Sequence, residues 1–152
     1  MLDLLICIEY SNNMAVNTQF SIAVHLLAGL GYNSDVDVTS AALAKSMNAC
    51  PSFVRRVLAK LSRAHLVHTT TGKSGFCSLA RKPKEITLLD IYKAVDAPKA
   101  FSVHDYPVQK ACPVSCNIKR SLDNVLHKTQ QAMEESLRNV SLAEVLADLK
   151  KK

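Results

Sequence analysis

Tryptophan is absent from this chain of 152 residues, and aromatic residues make up only 5% of it. A β-sandwich leans on aromatic and β-branched side chains, so a helical protein built on Leu, Val and Ala is the better expectation. No internal repeat or low-complexity segment is visible. The longest apolar run near the N-terminus, "LLICI" at 4–8, falls far short of the ~20 residues a membrane span needs. Its flanks carry Asp3 and Glu9 and no Lys or Arg, which argues against a signal peptide. The five cysteines are odd in number and irregularly spaced, unlike a secreted disulfide framework, so a reducing cytoplasm is expected. There is no phosphate loop, no H-E-x-x-H and no nucleophile elbow, so the chain does not read as an enzyme.

The most informative absence concerns charge of one sign. From Val38 to Lys84 there is no Asp or Glu. The same 47 residues hold nine basic ones: Lys45, Arg55, Arg56, Lys60, Arg63, Lys73, Arg81, Lys82 and Lys84. Ten basic and 13 acidic residues remain elsewhere, so the net +6 divides into +9 here and −3 in the rest. A solvated face normally mixes signs. A single-sign stretch of this length implies a surface for a polyanion, with nucleic acid foremost.

Apolar residues make up 48%, enough for one core, in one domain or one domain plus an assembly element. Residues 1–13 read as an N-terminal extension, with Met14 a candidate start. "TQFSIAVHLLAGL" (18–30) opens on Thr18, a candidate cap, and is apolar almost all round, so it is expected to be buried on more than one side. His25 in it reads as a core histidine, and "GYNSD" ends it. "VTSAALAKSMN" (38–48) forms a short helix capped by Thr39 or Ser40. In "ACPSFVRRVLAKLSRAHLV", Pro51 suits a first helical turn. Val54, Val57, Leu58 and Leu61 make one apolar stripe, with Ser52, Arg55, Arg56, Lys60 and Arg63 off it. Two short helices joined by three or four residues, the second basic, match a helix-turn-helix. "LVHTTTGKSGFCSLA" (66–80) reads as a β-hairpin around Gly-Lys-Ser-Gly, which makes the motif a winged helix.

"EITLLDIYKAVD" (85–96) is a further amphipathic helix with Ile86, Leu89, Tyr92 and Val95 inward. Residues 98–112 form a loop. After Cys112-Pro113 a long helix begins, with Ile118, Leu122, Val125, Leu126, Met133 and Leu137 as its apolar stripe. A helix of that length leaving a small domain calls for a partner helix, and a homodimer is expected. "SLAEVLADL" (141–149) is a last short helix with a Ser141/Glu144 capping box. The expected organisation is therefore a winged-helix DNA-binding domain over 14–97, a loop over 98–112, and a dimerisation and C-terminal helix over 113–152. The fold class is mainly α with a small β-hairpin wing.

In the stretches "FSIAVHLLAGL", "VTSAALAKSMNACPSFVRRVLAKLSRAHLV", "GKSGF", "ITLLDIYKAVD" and "SLAEVLADL", in that order, the chain resembles the Rrf2 family of winged-helix transcription regulators. The resemblance covers residues 14–149. It implies a homodimeric regulator, commonly a repressor, that binds palindromic double-stranded DNA. The cluster-binding members of that family carry three cysteines before the long helix. Here "ACPVSCNIK" offers Cys112 and Cys116 only, and resembles the cluster-free YwnA-like branch. No iron–sulfur cofactor is therefore expected.

The second helix of the motif would lie in a major groove. Ser52, Arg55 and Arg56 would face base edges, where an arginine reads guanine bidentately at ~1–3 kcal/mol per contact. Lys60 and Arg63 would meet phosphate, Lys73 would reach a minor groove or backbone from the wing tip, and Ser40 would donate to a phosphate. Cys112 is placed at a helix N-cap, Pro113 at N1 and Cys116 at N4. A thiol there feels the positive end of the helix dipole, and Lys110, Lys119 and Arg120 are close in sequence, so a redox-active thiol is the sharp reading of Cys112 and Cys116. Inert capping thiols are the plain alternative. Cys112 and Cys116 with His104 and Asp105 make a loose candidate metal set, while His65, His68 and His127 show no ligand spacing. Cys50 and Cys77 read as small buried hydrophobes. The competing functions are a DNA-binding repressor, a metal- or cluster-dependent sensor on the same scaffold, and a winged-helix module that binds protein.

Overall fold

The structure is a computed structural model and describes residues 18–34, 36–70 and 75–151. The expected extension at 1–13 and the wing tip with Lys73 lie outside the described residues. In chain order the elements are α1 (Thr18–Tyr32), β1 (Val38–Thr39), α2 (Ser40–Ser46), α3 (Pro51–Arg63), β2 (Val67–Thr69), β3 (Phe76–Leu79), a 3-10 turn (Pro83–Glu85), α4 (Leu88–Ala94), α5 (Pro113–Arg138) and α6 (Leu142–Leu149). The class is the one expected, mainly helical with a small wing. The wing has a third strand, however. β3 lies between β2 and β1, all antiparallel, with Val38 opposite Cys77 and Val67 opposite Leu79. Val38 and Thr39 thus serve twice, as a strand and as the lead into α2, where the Thr39 hydroxyl accepts the Ala42 amide at 3.1 Å.

One core joins the helices. Leu26 and Leu27 of α1, Val54, Val57, Leu58 and Leu61 of α3, Ile86, Ile91 and Val95 around α4, and Leu142 of α6 are all at most 3% exposed. Burying each such side chain is worth ~1.5–3 kcal/mol. Phe20, Ile22 and Val24 pack against this core from the half-buried side of α1. His25 departs from expectation. It is exposed, because it lies opposite Ala23, Leu27 and Leu30 on the helix. α1 also runs past Leu30 to Tyr32. At Gly31 a Cβ would come within 2.7 Å of Leu146 Cδ1, so the glycine lets Leu146 of α6 pack against α1 without shifting.

Three helices end in the same way without glycine. Asn48, His65 and Asp96 have φ of 49°, 56° and 51°. Each is followed by the 6→1 and 5→2 bonds of a Schellman end: Ala49 N to Ala44 O and Asn48 N to Lys45 O after α2, Leu66 N to Leu61 O and His65 N to Ser62 O after α3, and Ala97 N to Tyr92 O and Asp96 N to Lys93 O after α4. A side chain in the left-handed region costs ~1–2 kcal/mol, less for Asn and Asp.

α4 and α6 begin side by side. Thr87 caps α4 in a capping box with Asp90, and Ser141 caps α6 in a capping box with Glu144. The two caps form an antiparallel bridge, flanked by Leu88 N to Val140 O at 2.9 Å and Leu142 N to Ile86 O at 2.8 Å. The Ser141 hydroxyl and then its backbone amide hold the Glu144 carboxyl below its ordinary pKa. The box explains why α4 starts at Leu88 rather than at the expected residue 85: Thr87 must be extended to cap and bridge at once.

His65→Gly is expected to raise stability by ~0.5–1 kcal/mol through release of the left-handed strain, read as the midpoint of urea unfolding. Thr87→Ala is expected to lower it by ~1 kcal/mol, in the same measurement.

Candidate nucleic-acid interface

α3 begins with Pro51 after the buried Cys50, whose Sγ lies 3.1 Å from Ser52 Oγ. Its apolar stripe faces the core, so the opposite face carries Ser52, Arg56, Ala59 and Arg63 at i, i+4, i+7 and i+11. All four are exposed. Arg56 lies over the Phe53 ring, 5.6 Å from its centroid, a contact that steadies the guanidinium. Arg63 Nε donates to Ala59 O at 3.4 Å, back along its own helix.

Arg55 sits on the flank of α3 nearer the wing. Its Nε donates to Pro51 O at 3.3 Å. It lines a cleft of about 560 Å³ together with Thr39, Ser40, Ala59, Thr70 and Gly75. The helix-turn-helix and the wing therefore meet in a channel with an arginine and several hydroxyls on its walls. Among the described residues no carboxylate pairs with Arg55, Arg56 or Arg63. Ser40 is half-buried on the channel wall.

Lys60 is placed differently from the phosphate contact expected. Its ammonium donates to Val95 O at 2.9 Å and to Gln19 Oε1 at 3.2 Å, and stands 3.4 Å from Asp96. It is committed to the inner flank of α3. Spacing alone did not show this, because Asp96 and Val95 are more than 30 residues away. Arg81 is also engaged within the fold. It hydrogen-bonds the Glu85 carbonyl and lies 3.7 Å from Asp90.

The cysteines of "ACPVSC" stand at the head of α5. Cys112 is the N-cap without a side-chain cap bond, and Pro113 follows at N1. Cys116 is exposed, 3.9 Å from Gln109 O and 3.8 Å from Lys110 O. Ser115 accepts the Gln109 amide at 2.8 Å and so ties the loop to the helix start. Both thiols are free, as is Cys77 in the wing. Burial pushes the Cys77 thiol up and keeps it protonated. Asp105 is 3.6 Å from Lys119, and His104 stacks near Tyr106. Among the described residues no three His, Cys, Asp or Glu side chains come together as a metal site.

α5 is 26 residues long and none of them is buried. Val114 and Val125 are 66% and 59% exposed. It is held to α4 through Gln130, whose Nε2 donates to the Tyr92 hydroxyl at 3.2 Å and whose Oε1 accepts the Ala100 amide at 3.1 Å. No helix among the described residues is long and apolar enough to cross a membrane.

A helix-turn-helix with a three-stranded wing and a long helix projecting from it defines a winged-helix regulator of transcription. The comparisons agree. Residues 16–148 match the model of the Rrf2 family, described as iron-dependent transcriptional regulators, and the chain belongs to that family. It is 34% identical over 135 residues to a Bacillus subtilis protein assigned as the HTH-type transcriptional regulator YwnA, covering 88% of this chain and 98% of that one. A solved structure assigned as a DNA-binding protein is 30% identical, with a TM-score of 0.66 over 84% of this chain and 98% of its own. CymR, the global cysteine regulator of B. subtilis, shares the fold at 16% identity and a TM-score of 0.65, over 87% and 95% of the two chains. The family and the YwnA relative are transcriptional regulators, not enzymes. The family description implies iron, but the described residues do not fit it. Among the described residues Cys112 and Cys116 have no third His, Cys, Asp or Glu donor beside them.

Thiol labelling of the folded protein is expected to reach Cys116 at least ten times faster than Cys77, since the thiolate is the nucleophile and Cys77 is buried as the thiol. Mass spectrometry of peptides after timed alkylation checks it.

Proposed function

We propose that the protein is a homodimeric, cytoplasmic repressor that binds a palindromic operator in double-stranded DNA. The observation that carries this reading is the set of exposed arginines on α3 and its flank, Arg55, Arg56 and Arg63, unpaired with any acid among the described residues. They lie in the 47-residue stretch that has no Asp or Glu. α3 is the element for the major groove. Ser52 and Arg56 at its outer face read base edges. Arg55, in the channel with Ser40, serves the strand that passes between helix and wing, and Arg63 meets phosphate further along. Lys73 extends the same sign of charge to the wing.

The dimer is supported by α5, a helix of 26 residues with no buried side chain, with Val125 of its apolar stripe and Val114 at its start both exposed. A twofold axis along it would set two α3 helices ~34 Å apart, one turn of DNA, or a multiple. The signal we favour is oxidation of Cys112 and Cys116. A peroxide takes one thiolate to the sulfenate and leaves as the alcohol or water. The second thiol then condenses with it, forming a disulfide and releasing water. What supports this is two free thiols one turn apart where the loop enters α5. A metal-dependent sensor and a protein-binding winged helix remain the competing readings. Visible absorbance of anaerobically purified protein separates the first, and binding to upstream DNA the second.

Electrophoretic shift of the upstream fragment across a salt series tests the whole. Each neutralised phosphate contributes ~0.9 to the log–log slope, so a flat salt dependence would sink the reading. Arg55→Ala with Arg56→Ala is expected to weaken operator binding at least about tenfold, one bidentate contact being worth ~1–3 kcal/mol. Lys73→Ala is expected to lower affinity for any sequence alike.

A further inference from the structure

We propose that Lys60 is a positioning residue for DNA reading, one that holds α3 at its working angle from inside the protein. The proposal rests on the DNA-reading function above. Lys60 lies in the last turn of α3, and its ammonium meets three groups on two other elements: Gln19 Oε1 at the start of α1, and Val95 O and the Asp96 carboxylate at the end of α4. The side chain is 26% exposed.

The α4 end is built to receive this cation. The Tyr92 and Lys93 carbonyls are satisfied by Ala97 and Asp96, and Ile91 O accepts Val95 N. The Val95 carbonyl points out of this closed turn and takes the Lys60 ammonium at 2.9 Å. A cation at the C-terminal end of a helix is favoured by the free carbonyls there. Asp96, held left-handed at φ 51°, adds its carboxylate.

The same turn carries Tyr92. Its ring is buried and edge-on to Phe20 at 5.9 Å, its hydroxyl donates to Pro98 O at 2.7 Å, and Gln130 of α5 donates to that hydroxyl. Lys60 therefore fastens α3 to the piece of α4 on which the long helix is also seated. The leverage is geometric. Ser52 is ~12 Å up the axis from Lys60 at 1.5 Å per residue. A tilt of ~10° about Lys60 moves Ser52 by ~2 Å, beyond the tolerance of a hydrogen bond to a base.

The test compares full-length protein with Lys60→Met and with Asp96→Asn, titrating an operator fragment and a random duplex of equal length over a salt series. With Lys60→Met, operator affinity should fall about fivefold or more, while random-duplex affinity and the salt slope stay unchanged. A slope reduced by ~0.9 per protomer would make Lys60 a phosphate ligand and overturn the proposal. Unchanged operator affinity with a lower thermal midpoint would also overturn it, by making the residue structural only. Asp96→Asn, which keeps a residue tolerant of the left-handed backbone, should leave operator affinity equal or lower it. A rise, as expected of a cation set free to face DNA, would overturn the proposal. Salt-dependent binding by the unsubstituted protein, read in the same series, reports on DNA reading by itself, so the two readings fail separately.

Discussion

The paired helix starts at Thr87 and Ser141 are the constraint on which the rest of the structure depends. Each residue caps its own helix with a side-chain oxygen, and the two share a short antiparallel bridge through their backbones. The bridge closes a loop of more than 50 residues that contains all of α5. A loop of that length is costly to close, and two backbone hydrogen bonds alone would not hold it. Leu142 and Ile86, both fully buried beside the bridge, supply the apolar contact that does. The far end of α5 is thus returned to the winged-helix core, and the same half of the helix is seated on α4 through Gln130 and Tyr92. A helix held at two places keeps a fixed direction while leaving its apolar stripe only half-buried.

That arrangement bears on how a signal would act. Cys112 and Cys116 lie where the loop enters α5, and Gln109 and Ser115 join loop to helix across them. From there the contacts run through Gln130 and Tyr92 to the end of α4, and through Lys60 to α3. A chemical change at the head of α5 and the angle of α3 would share one mechanical frame. Coupling of this kind is a difference in free energy between two arrangements, and the contacts from Gln130 through Tyr92 and Val95 to Lys60 are contiguous.

Much of the candidate interface was legible in the residues. The amphipathic period over 54–61 sorts α3 into an inner stripe and an outer basic face, and Pro51 marks its start. The acid-free run marks the basic side without any structure. The capping boxes are local patterns, three residues apart, and Ser141/Glu144 was plain for that reason. What spacing could not show was the flank on which each cation spends its charge. Arg56 and Lys60 are one helical turn apart, yet one lies over Phe53 at the surface and the other on the carbonyl of Val95. The third strand was hidden as well, since two residues, Val38 and Thr39, carry no period of their own and pair only because β3 lies beside them.

The sequence by itself determined the class of fold, the order of the elements and the sign of the charged face, because periodicity, helix caps and local charge are short-range properties. Only the tertiary structure decided that His25 faces water, that Gly31 lets α6 approach α1, and that Lys60 is an internal tie. Those depend on which residues distant in sequence come to lie within a few ångströms, and no local pattern contains that information. The opposite fates of Arg55 and Lys60 follow from it. Val95 and Asp96, 35 and 36 residues from Lys60, are brought to one flank of α3, and the wing to the other.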